Sequence, residues 1–187
     1  MEKIERRVFM KGAAVSALMF SVGGAEVLLT AQEARAQKVP LKLLTGNEQA
    51  GLEALGDTLL PGAKEAGIAH YVDQQLSVDP GKCLLVARTV GVMPPYVDFY
   101  RAGLLALDQA CLKLHGAKFA ALGLDKQHQF VDLMRRQNPD GWSGPPPSPF
   151  FYYVTRNDAV DVYYGTVEGF ERLQVPYMPH IVPTKKW

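Results

Sequence analysis

The fold depends most on the stretch from Pro95 to His115, which reads PYVDFYRAGLLALDQACLKLH. Within it, large apolar or small sulfur-bearing side chains recur at intervals of three, four and seven positions: Tyr100, Leu104, Leu107, Cys111 and Leu114. Residues spaced in this way share one face of an α-helix. Pro95 suits the first turn of a helix, and Gly116 suits the position just past its end. The stretch therefore predicts the longest helix of the chain, with its apolar face at the centre of the core.

Shorter helical patterns lie on both sides of this stretch. Thr45 and Glu48 have the spacing of a capping box, and the leucine-rich helix that they begin should end at Pro61-Gly62. Further helices are predicted over residues 67–77, 82–90, 125–137 and 148–164, with Asp125 as a cap, a Pro/Gly-rich loop over 138–147 and an extended tail after 173. No alternating strand pattern stands out. We therefore predict an all-α fold, a single compact domain of about five to six helices.

The first 36 residues have the features of an export signal. A basic N-terminal region is followed by a weakly apolar run from Gly12 to Ala31 and by a small-x-small site. The residues that define the signal are Arg6, Arg7, Phe9, Lys11, Ala34 and Ala36. The paired arginines favour the bacterial twin-arginine route. We predict a signal over 1–36 and a helical domain over 37–187 that begins at Gln37. An ordinary basic leader and a retained membrane anchor are the two alternatives.

The charge of the remaining chain argues against some partners. Without residues 1–36, basic and acidic residues balance to a formal net charge of zero. This balance does not favour nucleic acid or an anionic membrane surface. It suits a subunit that lives in a complex better than a freely soluble monomer.

The domain contains two cysteines, Cys83 and Cys111. In an oxidising compartment such a pair is a candidate disulfide, and we predict one here. The alternative is two small buried side chains that never meet.

A search for redox or hydrolytic chemistry finds no supporting motif. The sequence has no G-x-G-x-x-G, no P-loop and no C-x-x-C-H, and two thiolates are too few for an iron–sulfur cluster. The four histidines, His70, His115, His128 and His180, have no metal-ligand spacing. Carboxylates on the predicted helices (Asp57, Asp73, Asp108 and Asp132) have basic or polar neighbours. We therefore expect no catalytic residue, cofactor site or metal site in this chain.

Four consecutive aromatic residues begin the last long helix, at Phe150, Phe151, Tyr152 and Tyr153. Consecutive residues point all the way round a helix, so one core face cannot take them all. With Trp142 and the tail residues Tyr177, Met178 and Trp187, they predict an interface with a partner protein. The alternative places two of the four in the core and two on the surface.

Several of these segments resemble the gluconate 2-dehydrogenase subunit 3 family. The resemblance begins at Leu52–Gly62, LEALGDTLLPG, and continues through Gly67-Ile68-Ala69 into Tyr71-Val72-Asp73. It includes Tyr100-x-x-Gly103-Leu104-x-x-Leu107-Asp108 and the Phe150-Phe151 helix that leads to Tyr163-Tyr164-Gly165. It runs over roughly residues 45–180.

The resemblance implies a non-catalytic small (gamma) subunit of a periplasmic dehydrogenase complex at the inner membrane. The expected partner is a large flavoprotein of the glucose–methanol–choline type, which uses FAD to oxidise a sugar, sugar acid or polyol. A multi-haem cytochrome c subunit, or an iron–sulfur cluster, can accompany it. The small subunit would present its signal to the twin-arginine translocase, and so export and help to mature the flavoprotein. A free-standing periplasmic enzyme or ligand-binding domain is the alternative.

Overall fold

The computed structural model describes residues 17–175 of the 187. Two strands come first, β1 (Ala17–Val22) and β2 (Ala25–Thr30). Eight α-helices follow in this part of the chain: α1 (Ala31–Ala36), α2 (Gly46–Leu59), α3 (Ile68–Leu76), α4 (Val86–Thr89), α5 (Tyr96–His115), α6 (Leu124–Met134), α7 (Ser148–Tyr164) and α8 (Val167–Arg172). A 3₁₀ turn, Phe119–Ala121, joins α5 to α6. The predicted mostly helical single domain is confirmed.

Helix α5 lies at the centre, as predicted. Four of its five predicted core positions are buried, whereas Leu114, near the end of the helix, is 41 % exposed. Gly103 lies so close to α7 that an added Cβ would come within 2.3 Å of the Phe151 ring. Gly116 ends the helix in the left-handed region, with a φ of 71°. The absence of a side chain at Gly103 therefore sets how closely α5 and α7 approach.

Helices α2 and α3 form the next layer. The predicted capping box of α2 is present, because the Glu48 carboxylate accepts the Thr45 N–H at 2.7 Å while the Thr45 hydroxyl accepts the Glu48 N–H. Gly56 of α2 lies against Ile68 at the start of α3. Helices α2, α3 and α7 all contact one another.

Two helix boundaries differ from the prediction. The helix predicted over residues 82–90 covers only Val86–Thr89. Asp125 lies inside the first turn of α6, and Gly123 occupies the N-cap position without a side-chain cap.

The prediction of no strands is wrong. β1 and β2 pair antiparallel, with Val22 opposite Ala25, and Gly23-Gly24 form the turn at φ values of 59° and 85°. Two left-handed residues in succession suit a two-residue hairpin, which glycine permits. Along β1, Leu18 and Phe20 are buried and Met19 between them is 44 % exposed. The apolar run that we assigned to an export signal thus also satisfies a strand pattern.

The Pro/Gly-rich loop over 138–147 connects α6 to α7. The Trp142 indole N–H donates to the Pro146 carbonyl at 2.9 Å, inside the molecule. Ser148 begins α7 without capping it, and its hydroxyl donates to the Met134 and Gln137 carbonyls, both at 2.8 Å. The bonds of Ser148 therefore hold the two ends of the loop together, and Trp142 closes a turn within it.

Candidate functional site

The N-terminal segment, residues 17–36, packs on α3. Gly67, the residue before α3, has a φ of 87°, and an added Cβ would be 2.3 Å from the Ala31 carbonyl oxygen. The Arg35 guanidinium forms an ion pair with Glu65 at 2.8 Å, and the Gln74 amide donates to the Met19 carbonyl at 3.4 Å. Buried side chains fill the contact: Leu18, Phe20, Leu29, Ala31 and Ala34. The segment is part of the packed domain.

The connector, residues 37–45, is fixed on the same helix. One carboxylate, that of Asp73, accepts the N–H groups of Lys42, Leu43 and Leu44 at 2.7–2.8 Å. The His70 ring N–H donates to the Val39 carbonyl at 3.0 Å, and burial lowers the pKa of this imidazole. Helix α3 therefore anchors the chain on both sides of the predicted signal boundary.

A cleft of about 530 Å³ lies between the N-terminal segment and the helices α7 and α8. Its walls include Ala31 and Glu33 from the segment, Tyr71 from α3, and Tyr163 and Arg172 from the C-terminal helices. This volume is in the range of small-molecule sites. The cleft exists only while the segment is docked, because the segment forms one wall.

The charged groups of the cleft are mostly acidic. Four carboxylates line it (Glu33, Glu65, Asp161 and Glu168), and the Arg172 guanidinium lies 5.2 Å above the Tyr163 ring. Burial raises the pKa of the Tyr71 phenol, so this group is neutral at ordinary pH. None of the described lining residues is His, Cys or Ser.

A buried acid lies deeper, where α5 meets α7. Asp158 and Tyr100 are both fully buried, and the Tyr100 hydroxyl donates to one Asp158 carboxyl oxygen at 2.7 Å. The other oxygen accepts no hydrogen bond of good geometry within residues 17–175, although the Val86 N–H lies near this carboxyl group. Burial raises the pKa of Asp158 to about 8, and the nearby Asp161 charge acts in the same direction. At neutral pH Asp158 is therefore mostly a neutral carboxylic acid.

Asp158 was not among the residues predicted from the sequence, although the pattern of α7 indicates it. The residue shares the buried stripe of α7 with Phe151, Val154, Thr155 and Val162, at helical spacing. A carboxyl group on an apolar stripe indicates a buried acid that needs a hydrogen-bond donor.

The predicted disulfide is wrong, because Cys83 and Cys111 are both free, buried thiols. Cys83 lies near Asp158, whose carboxyl group is hydrogen-bonded to Tyr100 of α5. Cys111 lies three helical turns beyond Tyr100, about 16 Å further along the axis of α5. Disulfides need Cα atoms within about 7 Å. Burial raises the pKa of Cys83, and it raises that of Cys111 to about 12, so neither thiol is activated.

The aromatic cluster divides between core and surface. Phe151 is fully buried and Trp142 is 8 % exposed, so for these two residues the predicted partner interface is wrong. Their ring centroids lie 6.1 Å apart, and the Phe151 ring packs against Gly103 of α5. Phe150 and Tyr152 are half-buried against the core, and only Tyr153 of the five is clearly exposed, at 45 %.

The exposed apolar side chains of α5 were not predicted as a surface. Leu105 and Leu112 are 60 % and 47 % exposed, and seven residues separate them, so they share one outward face. Two large exposed leucines on this outward face, beside Arg101 and Gln109, make it a candidate for contact with another protein.

The remaining predicted residues lie outside residues 17–175: Arg6, Arg7, Phe9 and Lys11 of the signal, and Tyr177, Met178 and Trp187 of the tail. Between residues 17 and 175, no three His, Cys, Asp or Glu side chains are grouped so that they could hold a metal ion. None of the helices described there is both long and apolar enough to cross a bilayer.

Comparison with known proteins gives one result. Residues 46–183 match the family described as gluconate 2-dehydrogenase subunit 3. Neither the curated proteins nor the solved structures yield a match. The matched range covers most of the chain and includes every helix from α2 to α8. The chain therefore belongs to the gluconate 2-dehydrogenase subunit 3 family.

Proposed function

We propose that this chain is the non-catalytic small subunit of a periplasmic FAD-dependent dehydrogenase complex, and that it escorts the catalytic flavoprotein through the twin-arginine route. The observation that carries the proposal is the family match over residues 46–183, since a subunit 3 implies catalytic partners. The paired Arg6 and Arg7 support the export role. The flavin, and any haem or iron–sulfur cluster, would reside on the partners.

Exposed apolar side chains give such a partner a place to bind. Leu105 and Leu112 on α5 are exposed, as is Tyr153 on α7. Large apolar and aromatic side chains that become desolvated supply most of the binding energy at protein interfaces. We place the contact with the large flavoprotein subunit on this face of α5.

Export is tested by expressing both subunits and fractionating the cells. The double substitution R6K/R7K should leave both chains in the cytoplasm, because it removes the paired arginines while keeping the charge. Lys3→Arg, which also keeps the charge but leaves the pair intact, should be exported normally. Arrival of the large subunit in the periplasm without this chain would contradict the escort role.

The interface is tested by copurification. The double substitution L105E/L112E should reduce recovery of the large subunit at least about tenfold, because it places charges in a desolvated contact. Leu124→Glu is the matched control, since Leu124 is 68 % exposed at the start of α6. Equal recovery with both variants would place the contact elsewhere.

The cleft favours a second candidate function, a free-standing ligand-binding domain. Its volume of about 530 Å³ would accommodate a small molecule. A complex and a lone domain differ in mass, so size-exclusion chromatography with mass measurement, followed by an absorption spectrum for flavin, separates the two proposals.

A further inference from the structure

The predicted processing bond, Ala36–Gln37, lies in an ordered helix end. The Val39 N–H donates to the Ala34 carbonyl and the Lys38 N–H donates to the Arg35 carbonyl, both at 2.9 Å. Lys38 has a φ of 55°, in the left-handed region. This pair of hydrogen bonds around a left-handed residue is a Schellman motif, which ends a helix. Its two apolar positions, Ala34 and Val39, are 0 % and 5 % exposed.

Both sides of this motif are fixed to the body of the domain. On the N-terminal side, Ala31 lies against Gly67, and Arg35 pairs with Glu65. On the C-terminal side, His70 holds the Val39 carbonyl and Asp73 holds residues 42–44. The Ala36–Gln37 bond therefore cannot straighten unless one of these contacts is released.

Ala36 and Gln37 are exposed, but a protease needs an extended stretch around the bond that it cuts, so an ordered site is cleaved only from a transiently opened state. The small-x-small site is read through the side chains of Ala34 and Ala36. Ala34 has no exposed surface in the folded chain.

We propose that residues 17–36, docked on α3, shield the processing site, so that cleavage at Ala36–Gln37 occurs only after this segment has left the domain. The proposal takes the signal assignment from the proposed function. It adds that the folded domain, with residues 17–36 docked on it, prevents removal of the signal. Undocking of this segment is the step that permits cleavage.

Trypsin offers a direct test in the full-length chain, because it cuts after Arg35 and after Lys38, on either side of the proposed bond. A synthetic peptide of residues 30–42 gives the rate for the same bonds without structure. We expect the folded chain to be cut at these two bonds at least about 100-fold more slowly than the peptide, as read by mass spectrometry. Equal rates would overturn the proposal.

Two glycine substitutions show whether docking is the cause. Gly67→Ala introduces a Cβ that meets the Ala31 carbonyl, and Gly91→Ala places the same group at a similar φ, 84°, with nothing within 4 Å. Both variants force an alanine into the left-handed region, which costs conformational energy, but only Gly67→Ala creates a steric clash with residues 17–36. Gly67→Ala should be cut after Arg35 about tenfold faster than Gly91→Ala. Equal rates for the two variants would contradict the proposal.

A second pair of variants leaves α3 unchanged, in case Gly67→Ala does not fold. Phe20→Ser removes a side chain that is 6 % exposed on the inner face of β1, and Met19→Ser changes its 44 % exposed neighbour. Phe20→Ser should accelerate cleavage after Arg35 about tenfold and Met19→Ser should not; the same rate for both would overturn the proposal.

Trypsin cleavage depends on the fold of the chain and not on export. A negative result in these experiments would therefore leave the escort function untouched, and cell fractionation tests that function separately.

Discussion

The contact between α5 and α7 and the contact of the N-terminal segment on α3 both depend on a glycine, but they are built differently. At Gly103 the neighbour is the ring of Phe151, so side chains interlock in the core. At Gly67 the neighbour is the backbone carbonyl of Ala31, and the same contact includes the Arg35–Glu65 ion pair and the hydrogen bond from the Gln74 amide to the Met19 carbonyl. The first contact lies at the centre of the core, whereas the second joins one terminal segment to the domain through the segment's apolar side chains and a few polar contacts. We therefore expect the core contact to set global stability and the segment contact to open locally.

The strongest test of this difference is Phe151→Ala. Removal of a fully buried phenylalanine leaves a cavity, so the free energy of unfolding should fall by about 3–5 kcal/mol. Tyr153→Ala, two residues along the same helix and 45 % exposed, should change it by no more than about 0.5 kcal/mol. Urea denaturation measures both. Similar losses for the two variants would mean that α7 is not oriented as described.

The prediction for Phe151 shows what the sequence could and could not establish. The spacing of apolar residues in α5, with Pro95 and Gly116 at its ends, predicts the central helix from local information alone. Four adjacent aromatics predict a crowded helix, but which of them are buried depends on where α5 lies across from α7. That arrangement is tertiary, so periodicity within one helix does not determine it.

The hairpin and the buried acid were missed for different reasons. Gly23-Gly24 between two apolar runs is a hairpin signal, but the same residues also fit the apolar region of an export signal. Asp158 interrupts an apolar stripe, yet its partner Tyr100 is 58 residues away in sequence. The local pattern therefore indicates a buried carboxyl group, and only the packed structure shows the donor.

The pH dependence of stability tests the core contact in a second way. The pKa of Asp158 is raised to about 8 in the folded chain, from about 4 in the unfolded chain. Between these values the folded state holds a proton that the unfolded state has lost, so unfolding free energy should decrease as pH rises from 4 to 8 and then level off. The expected slope is up to about 1.4 kcal/mol per pH unit.

Asp158→Asn is the matched control for this slope. Asparagine keeps an acceptor for the Tyr100 hydroxyl and does not titrate, so the decrease between pH 4 and 8 should become shallower by the contribution of one group. Urea midpoints measured at each pH give the comparison. An unchanged slope would show that Asp158 is ionised in the folded chain throughout this range.

The segment side of the comparison is tested first at Asp73. Asp73→Asn replaces one carboxylate oxygen by an N–H₂ group, so one of the three backbone N–H groups that donate to Asp73 loses its acceptor. We therefore expect the free energy of unfolding to fall by about 1–3 kcal/mol. Hydrogen exchange should show faster exchange at residues 42–44, with little change in α5. Asp132→Asn is a suitable control, because Asp132 bonds only to the exposed Arg135 and Arg136 side chains among the described contacts. Faster exchange in α5 would mean that the connector and the core unfold together.

The smallest effect is expected at the ion pair between Arg35 and Glu65. Glu65 is 70 % exposed and Arg35 is 25 % exposed, so water screens the attraction and Glu65→Gln should cost less than about 1 kcal/mol. The same substitution should still increase hydrogen exchange in residues 17–36, because the only other described polar contact of that segment with the body of the domain is the Gln74–Met19 hydrogen bond, and the increase should be lost in high salt. A variant that lowers global stability by several kcal/mol would show instead that the segment unfolds only together with the core. In that case the distinction between an interlocked core and a separable N-terminal segment would not hold, and the processing bond could open only by unfolding of the whole domain.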